Sequence, residues 1–486
     1  MKNRLRIAAL LLMLGVPSIA PAQTDAPSGA SAGTAASKGT GAGYAELTVQ
    51  QVREIAAEAY LWGYPLVLIE ATRRVVTNVA GAEPGLARQP MNQLLHARAF
   101  PNAASRNVVR PNFDTLYSTA WLDLGAGPLV LRLPPIDRYH VFALHDAWTE
   151  VFAAPGTRSD GGRGGVYLIA DAGWQGPVPE GMQLLRSPTR LAWLIGRIQT
   201  NTAADYDNVR ALQQQVTLTP LSQWGSRYTP PRISVDASVD TRTPPMLAVN
   251  ALPAEAFFSQ LAALLAVNSP RLNDQWVTTR FSRLGIAAGH RIDFSAWPQA
   301  RRQALQQGVD DARAAVRRNL AAGQLPTGWR TFPAHIGAFG GDYLTRAAVA
   351  MFGLGALRPD EALYPVTQND GDGRPLRGEH RYVLRMSKEQ IPPVSAFWSL
   401  TLYDEQGYPV ANSAQRFALG DRDALRFEAD GSLILYIQHA PPGGERDSNW
   451  LPAPAQGPFT LTMRLYLPKA EAASGQWGLP GVRRVE

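Results

Sequence analysis

The sequence has no cysteine, which excludes disulfides, thiolate catalysis and cysteine-bound zinc. Lysine supplies only four of the 47 basic residues, and the arginines are scattered, so the net charge of +7 does not form the basic patch that a nucleic-acid partner needs. Beyond the N-terminus, no apolar run approaches the ~18 residues of a membrane helix. A phosphate-binding glycine loop, a zinc-protease motif and a credible serine nucleophile elbow are also missing, so no motif assigns a reaction.

The N-terminus has the pattern of a secretory signal peptide. Three cations within residues 1–6 precede the apolar run Ile7–Val16, and an Ala-Pro-Ala sequence ends at Ala22. A leader rich in Gly, Ala and Ser follows over residues 23–43, and this composition predicts a flexible segment. We therefore expect cleavage after residue 22, a periplasmic or secreted protein, and no stable membrane insertion of the mature chain.

Helical and strand periodicities alternate along the rest of the chain. Apolar residues at helical spacing predict a helix over 47–76, interrupted at Gly63-Tyr64-Pro65, and a helical stretch over 189–221. Short runs of two-residue periodicity, bounded by Pro or Gly, predict antiparallel strands within 110–185 and 364–467. The chain is also longer than one hydrophobic core usually serves.

These periodicities predict an α+β, β-rich fold. We expect two antiparallel β-domains, each a jelly-roll-like sandwich or barrel, joined by a helical segment. The predicted boundaries are 44–240 for an N-terminal helix plus β-domain, 241–345 for the helical connection and 346–486 for the C-terminal β-domain.

Polar residues gather where the first predicted strand begins, in the stretch RPNFDTLYSTAWLDL, Arg110–Leu124. In one interpretation, Pro111 fixes a turn, and Asn112 and Asp114 accept hydrogen bonds from neighbouring backbone N–H groups. In the other, Asp114 and Tyr117 lie at the mouth of a pocket and bind polar groups of a substrate. Both interpretations remain open.

His145 and Asp146 are neighbours in a predicted strand, so their side chains point to opposite faces, and a direct dyad would need a β-bulge. One interpretation is a hydrogen-bonded core histidine. The other makes His145 a general base, because imidazole titrates near neutral pH, with Asp114 or Asp146 as its acid–base partner. His145 would then meet Asp114 or Tyr117 from an adjacent strand.

A polar face follows the last predicted strand, Phe459–Leu467, at alternate positions: Thr460, Thr462, Arg464 and Tyr466. This face is either the solvated outside of a sheet or the lining of a cavity. In a cavity, the guanidinium of Arg464 would suit an anionic or hydroxyl-rich ligand.

The segment Asn369–Gly373 superficially suggests a calcium loop. Arg381 stands where the twelfth-position glutamate of such a loop would be, so a hairpin turn is the better interpretation. The sequence predicts neither a metal site nor a cofactor.

Four stretches resemble, in order, the motifs of a bacterial two-domain family, domain of unknown function 1254 followed by domain of unknown function 1214. The resemblance extends from Tyr60 to Lys469 and implies an exported or envelope-associated protein with jelly-roll-like β-domains connected by helices. It implies no settled reaction. The stretches are RPNFDTLYSTAWLDL, YHVFALHDAWTEVFAAPGTR, FWSLTLYDEQGYPV and SNWLPAPAQGPFTLTMRLYLPK.

The resemblance also implies a set of site residues, carried over by their positions in these motifs. We expect the tryptophans to offer stacking surfaces and the arginines to hold oxygens or carboxylates. The residues are Asn112, Asp114, Tyr117, Asp146, Trp148, Trp398, Tyr403, Arg416, Trp450 and Arg464.

The function that these patterns favour is binding of a polar small molecule or glycan in a β-domain pocket, with hydrolase-like or lyase-like chemistry as an open question. The rival is a non-catalytic envelope protein that uses the same surfaces for assembly or partner binding. A homo-oligomer is compatible with both functions. Whether the protein is an enzyme is not decided by its sequence.

Overall fold

The fold is described from a computed structural model that covers residues 47–105, 109–321, 323–331 and 333–485. The predicted signal peptide and leader lie outside the described residues. The internal contacts group residues 46–486 into one compact unit. Among the described residues, no helix combines the length and the apolar character needed to cross a bilayer.

Nine α-helices lie in the described part of the chain, most of them between the two β-rich regions. They are α1 (Val49–Thr77), α2 (Thr157–Asp160), α3 (Tyr206–Gln215), α4 (Pro245–Asn250), α5 (Ala254–Leu265), α6 (Gln275–Ser282), α7 (Gln299–Ala321), α8 (Tyr343–Gly353) and α9 (Ala470–Ala473).

The strands fall into two groups that the helices separate in sequence. The first group is β1 (Leu95–His96), β2 (Thr115–Asp123), β3 (Leu129–Leu133), β4 (His140–Asp146), β5 (Val151–Ala153), β6 (Gly165–Asp171), β7 (Met182–Ser187), β8 (Leu191–Gln199) and β9 (Thr217–Pro220). The second group is β10 (Ala362–Leu363), β11 (Val366–Thr367), β12 (Arg381–Met386), β13 (Val394–Asp404), β14 (Ala418–Gly420), β15 (Leu433–Gln438), β16 (Trp450–Pro452), β17 (Phe459–Pro468) and β18 (Arg483–Val485).

Each group forms two sheets, and none of the four closes into a barrel within the described residues. The first group has the orders β1-β2-β8-β4-β5 and β7-β6-β3-β9, and the second has β10-β17-β13-β14, with β11 also on β17, and β16-β15-β12-β18. The pairs are antiparallel except β6 with β7 and β15 with β16. The predicted α+β class with antiparallel sheets is therefore confirmed.

Two local predictions were wrong. Residues 191–199 form the central strand β8 instead of a helix, because this strand is covered on both faces and its apolar run LAWLIG shows no clean alternation. Helix α1 continues through Pro65, which was expected to interrupt it. The buried surroundings of residues 62–69 hold this segment in the helix despite the missing N–H group.

Three cores hold the molecule together. A helical core surrounds α1, which packs against α5, α7 and α8. One β core lies between the two sheets of the first group, and another lies in the second group. A smaller apolar cluster, which includes Val141, Phe397 and Tyr466, joins the two groups directly. This contact places the polar faces of β2 and β8 close to those of β13 and β17.

Helix α7 approaches α1 closely at Gly308. A Cβ atom at Gly308 would overlap the backbone oxygen of Arg53 and lie 2.8 Å from the Cβ of Ala56. The missing side chain therefore permits the helices to pack. Gly353, at the exposed end of α8, is the opposite case, because a Cβ atom there would meet only the Val349 side chain, at 4.0 Å.

We expect Gly308→Ala to destabilise the protein by about 1–3 kcal/mol, because overpacking outweighs the higher helix propensity of alanine. The matched variant Gly353→Ala has room for its methyl group and should be neutral or slightly stabilising. Urea unfolding of both variants measures the difference. Equal effects would show that the close approach at Gly308 carries no cost.

Candidate functional site

The start of β2 joins the two β groups through one buried carboxylate. Asp114 is fully buried, and its Oδ1 pairs with the guanidinium of Arg422. Its Oδ2 accepts hydrogen bonds from Ser399 Oγ at 2.7 Å and from the Tyr466 hydroxyl at 3.3 Å. These three partners all belong to the second group, so Asp114 connects the β regions by charge and hydrogen bonds.

Asn112 forms the turn that presents this carboxylate. Its Oδ1 accepts hydrogen bonds from the backbone N–H groups of Asp114 at 2.6 Å and Thr115 at 2.9 Å. Its Nδ2 donates to the Tyr466 hydroxyl at 2.6 Å. The turn interpretation therefore describes the local bonds, and the same residues also make the contact to the second group.

Arg464 and Tyr403 lie beside this contact on β17 and β13. Arg464 is 4% exposed, and it donates to Thr401 Oγ1 at 2.7 Å and to the Tyr403 hydroxyl at 2.8 Å. It also donates to the backbone oxygen of Arg110 at 3.2 Å, and Tyr403 donates to that of Pro111 at 2.6 Å. The guanidinium of Arg464 thus makes its hydrogen bonds with groups of the protein.

Tyr117 meets a second buried arginine that the sequence did not single out. Arg197 pairs with Tyr117 across β2 and β8, and its guanidinium lies 5.2 Å from the centre of the Tyr117 ring. It donates to the Tyr364 hydroxyl and to the Gly355 backbone oxygen, each at 3.0 Å. Arg197 was missed because residues 191–199 were predicted to be helical. Only in a strand does its side chain follow the two-residue alternation between faces.

His145 lies in the sheet interior, with its ring centre 6.0 Å from that of Trp193. Burial, together with the charge of Arg197, lowers the pKa of His145 to about 3. A general base works best with a pKa near the operating pH and within reach of substrate. The structure gives His145 neither property.

Asp146 and Trp148 belong to the turn that attaches β4 to the helical core. Asp146 Oδ1 accepts hydrogen bonds from the N–H groups of Trp148 at 2.8 Å and Glu150 at 3.0 Å, and burial raises the pKa of Asp146 to about 7. The Trp148 ring lies 4.6 Å from that of Trp62, and its Nε1 donates to the Ser269 backbone oxygen. Trp148 therefore acts as a packing anchor.

The three predicted acid–base residues do not converge. Strand β8 lies between β2 and β4, and no hydrogen bond between described residues joins His145, Asp114 and Asp146 to one another. The carboxylate of Asp114 is bound by the second β group, whereas Asp146 accepts hydrogen bonds from its own turn through Oδ1 alone, and its Oδ2 has no partner among the described residues.

Trp398, Arg416 and Trp450 lie in the second group, away from the Asp114 contact. Trp398 belongs to the apolar core of that group. Arg416 donates to the backbone oxygens of Asp447 and Trp450, each at 2.8 Å. Trp450 Nε1 donates to the backbone oxygen of Gln438 at 2.8 Å. These side chains organise a loop and present no open stacking surface.

An open cleft lies next to Arg464, where the stretch that begins at Arg110 meets β11 and β17. It contains about 370 Å³ of free space, part of which is open to solvent. Thr460 in its wall is 8% exposed, and its Oγ1 has no hydrogen-bond partner among the described residues. The lining residues are Arg110, Gln324, Gly328, Arg330, Val366, Thr367, Gln368, Asn369 and Thr460.

Arg110 forms the solvent edge of this cleft in an unusual conformation. Its φ angle is 51°, which is rare for a residue with a side chain, and its N–H donates to the Gly407 oxygen at 2.7 Å. Desolvation lowers the pKa of Arg110, and the guanidinium groups of Arg464 and Arg330 lower it further. Strained backbone of this kind is concentrated at functional sites.

Arg330 also lines the cleft and was not identified from the sequence, because it lies between predicted elements. The residue is half-buried, and burial lowers its pKa. Its buried Nε has no hydrogen-bond partner among the described residues. Thr460, by contrast, was part of the polar face predicted on the last strand.

The fold and the site define an α+β protein whose two antiparallel β regions meet at a buried carboxylate beside an arginine-lined cleft. Residues 91–220 match the family model described as protein of unknown function DUF1254, and residues 361–470 match protein of unknown function DUF1214. The two matches stand in the order expected from the sequence and confirm the resemblance to this two-domain family. No curated protein matches the chain.

One solved structure shares the fold. The chain is similar to the VPA0106 protein from Vibrio parahaemolyticus, with a TM-score of 0.67 and 23% identity over 90% of this chain and 100% of that one. It also matches an uncharacterised protein from Burkholderia cenocepacia, with a TM-score of 0.42 and 12% identity over 90% and 94% of the two chains. The similarity to VPA0106 extends to the overall architecture.

We expect Asp114→Asn to cost about 3–5 kcal/mol of unfolding free energy, because it leaves the largely buried Arg422 without its anionic partner. Ser399→Ala removes one hydrogen bond to the same carboxylate and should cost about 1 kcal/mol. Urea titration monitored by tryptophan fluorescence compares the two. Similar costs for both variants would contradict the assigned role of the charge.

The lowered pKa of His145 predicts a loss of stability in acid. The unfolded state binds a proton below the ordinary pKa of 6.5, whereas the folded state stays neutral down to about 3. This contribution is therefore complete above pH 6.5 and is lost as the pH falls toward 3. We expect His145→Gln to lose less stability between pH 7 and pH 4 than the parent protein.

The exposed residue His290 provides the control for this measurement. His290→Gln, measured by thermal melts across the same range, shows the effect of replacing an exposed histidine. An unaltered profile in His145→Gln would show that His145 does not titrate as a buried group.

Proposed function

We propose that this protein binds a polar small molecule, or a single sugar unit of a glycan, in the cleft between Arg110 and Arg330. The observation that carries the proposal is the hydroxyl of Thr460, which is buried in the wall of the cleft without a partner. A buried polar group without a hydrogen bond costs free energy, and a ligand can supply the missing bond. The cleft lies where both β regions contribute, which is a common location for ligand sites.

Further unpartnered polar atoms lie in the same area. Thr462, two residues along β17, has a buried Oγ1 without a partner among the described residues, as does the Nε of Arg330. The amide side chains of Gln324 and Asn369 also line the cleft. The members of this set that line the cleft offer donors and acceptors to a hydroxyl-rich molecule.

The proposal is for binding and does not assign catalysis to this cleft. Its lining contains no carboxylate and no imidazole among the described residues, and the predicted acid–base residues lie elsewhere. Hydrolase-like or lyase-like chemistry would need groups brought by the ligand or by a partner. If small molecules do not bind, the alternative is a non-catalytic envelope protein that uses these surfaces for assembly.

Two finer features belong to the same proposal. We infer that each β group is a two-layered sandwich of jelly-roll type, and support comes from the first β core, which contains residues from both of its sheets. We also infer a periplasmic or secreted location, for which the support is the signal-peptide pattern of residues 1–22.

We expect Thr460→Val to weaken ligand binding about 2- to 10-fold, because it removes one hydrogen bond while preserving the side-chain shape. Without ligand, the variant should be at least as stable as the parent, since no bond within the protein is lost. Isothermal titration with sugars and small organic acids gives the affinities, and thermal melts give the stability.

Thr217→Val, at an exposed position of β9, is the matched control and should change neither property. Unaltered affinity in Thr460→Val would remove this hydroxyl from the site. If the purified protein binds none of these molecules, the proposed function itself fails.

A further inference from the structure

We propose that the ligand of this cleft carries an acid group, a carboxylate or a phosphate, held by the guanidinium groups of Arg110 and Arg330. This inference rests on the proposed function and names its ligand class. It depends on the two arginines of the cleft, whose side chains have no hydrogen-bond or ion-pair partner among the described residues, unlike the arginines that lie deeper in the molecule.

Arginines elsewhere in the interior have partners within the protein, either acids or, for Arg197 and Arg464, hydroxyl and backbone oxygens. Arg422 pairs with Asp114, and Arg271 pairs with Glu150. Burying a guanidinium is expensive, so the nearby carboxylate offsets its desolvation. This arrangement is the ordinary one for a structural arginine.

Arg110 and Arg330 lack such compensation. Neither side chain forms a hydrogen bond or an ion pair with a described residue, and no Asp or Glu is among the cleft-lining residues. The nearest acid along the chain from the lining residue Asn369 is Asp370, whose two carboxylate oxygens are bound by Arg374 and by turn amides. The cleft therefore has positive charge without a negative counterpart in the described protein.

The guanidinium of Arg464 lies behind the wall of the cleft and adds to the positive potential there. It donates to the backbone oxygen of Arg110, and its charge opposes the ionisation of Arg110, as does that of Arg330. Arg110 is therefore repelled by two neighbouring cations, and a bound anion would offset this repulsion. The fork of donors on each guanidinium matches the paired oxygens of a carboxylate or phosphate.

The buried hydroxyl of Thr460 completes the site. A hydroxyl can donate to an acid oxygen or accept from a neighbouring hydroxyl group of the ligand. The site therefore fits a small molecule that combines an acid group with polar atoms. The ligand does not need a second charged group.

The test compares neutral molecules with anions of the same shape: glucose with glucuronate and with glucose 6-phosphate, and propionamide with propionate. Isothermal titration of the purified protein at low salt should give at least tenfold tighter binding for an anion than for its neutral counterpart. The glucuronate and glucose 6-phosphate measurements distinguish a carboxylate site from a phosphate site.

Variants of both arginines locate the effect. Arg110→Gln and Arg330→Gln should each weaken anion binding about 10- to 100-fold and leave binding of the neutral molecule unchanged. Arg330→Lys keeps the charge and should retain the anion preference. Arg132→Gln, at an exposed position of β3, is the control and should alter neither affinity.

A second readout does not depend on the choice of ligand. Without ligand, Arg330→Gln should raise the melting temperature or leave it unchanged, because it removes an uncompensated charge. Arg422→Gln, which breaks a compensated pair, should lower the melting temperature. If Arg330→Gln lowers it as much as Arg422→Gln does, Arg330 is a structural residue and the inference is wrong.

The outcomes separate the two proposals. Equal binding of neutral molecules and anions would overturn the acid-group inference and leave the binding function standing. Binding of neither kind would overturn both. An anion preference that survives Arg110→Gln and Arg330→Gln would place the acid group at another site and would also overturn the inference.

Discussion

The buried carboxylate of Asp114 is the interaction on which the arrangement of the two β regions depends. It belongs to the first region, and Arg422, Ser399 and Tyr466 approach it from the second. A fully desolvated charge needs several partners at once, and this requirement fixes the relative position of the sheets more sharply than apolar contact alone. Asn112 fixes the turn before β2, and its local hydrogen bonds thereby position Asp114 at the contact between the two β regions.

The cleft is a consequence of this junction. The chain that leads into β2 passes over the edge of β17, where Arg464 binds the backbone oxygen of Arg110. Arg110 is thereby held in a conformation with positive φ at the rim of the cleft that Arg330 also lines. Thr460 Oγ1 and Arg330 Nε, both in residues that line this cleft, have no hydrogen-bond partner among the described residues. The pair of Asp114 and Arg422 thus joins the regions, whereas the arginines of the cleft have no acid among the lining residues.

Several site residues were visible in the sequence, but their roles were not. The polar turn at Asn112 and Asp114 and the alternating face that contains Thr460 and Arg464 were identified from residue type and periodicity. Arg197 was missed because the apolar run of β8 resembles a helix when both faces of the strand are buried. The tryptophans were expected to stack on a ligand, whereas Trp148 and Trp398 pack in apolar cores. Residue type could not decide between the two, because aromatic side chains are equally suited to both environments.

The sequence by itself determined the α+β class, the antiparallel strands and the two-domain family, because periodicity, turn residues and motif order are local properties. Only the tertiary structure decided that Asp114 pairs with Arg422, 308 positions away. It alone decided that Arg110 and Arg330 line one cleft that has no acid among its lining residues. The reason is physical: alternation shows which side chains share a face of a strand, but what covers that face depends on how distant segments pack.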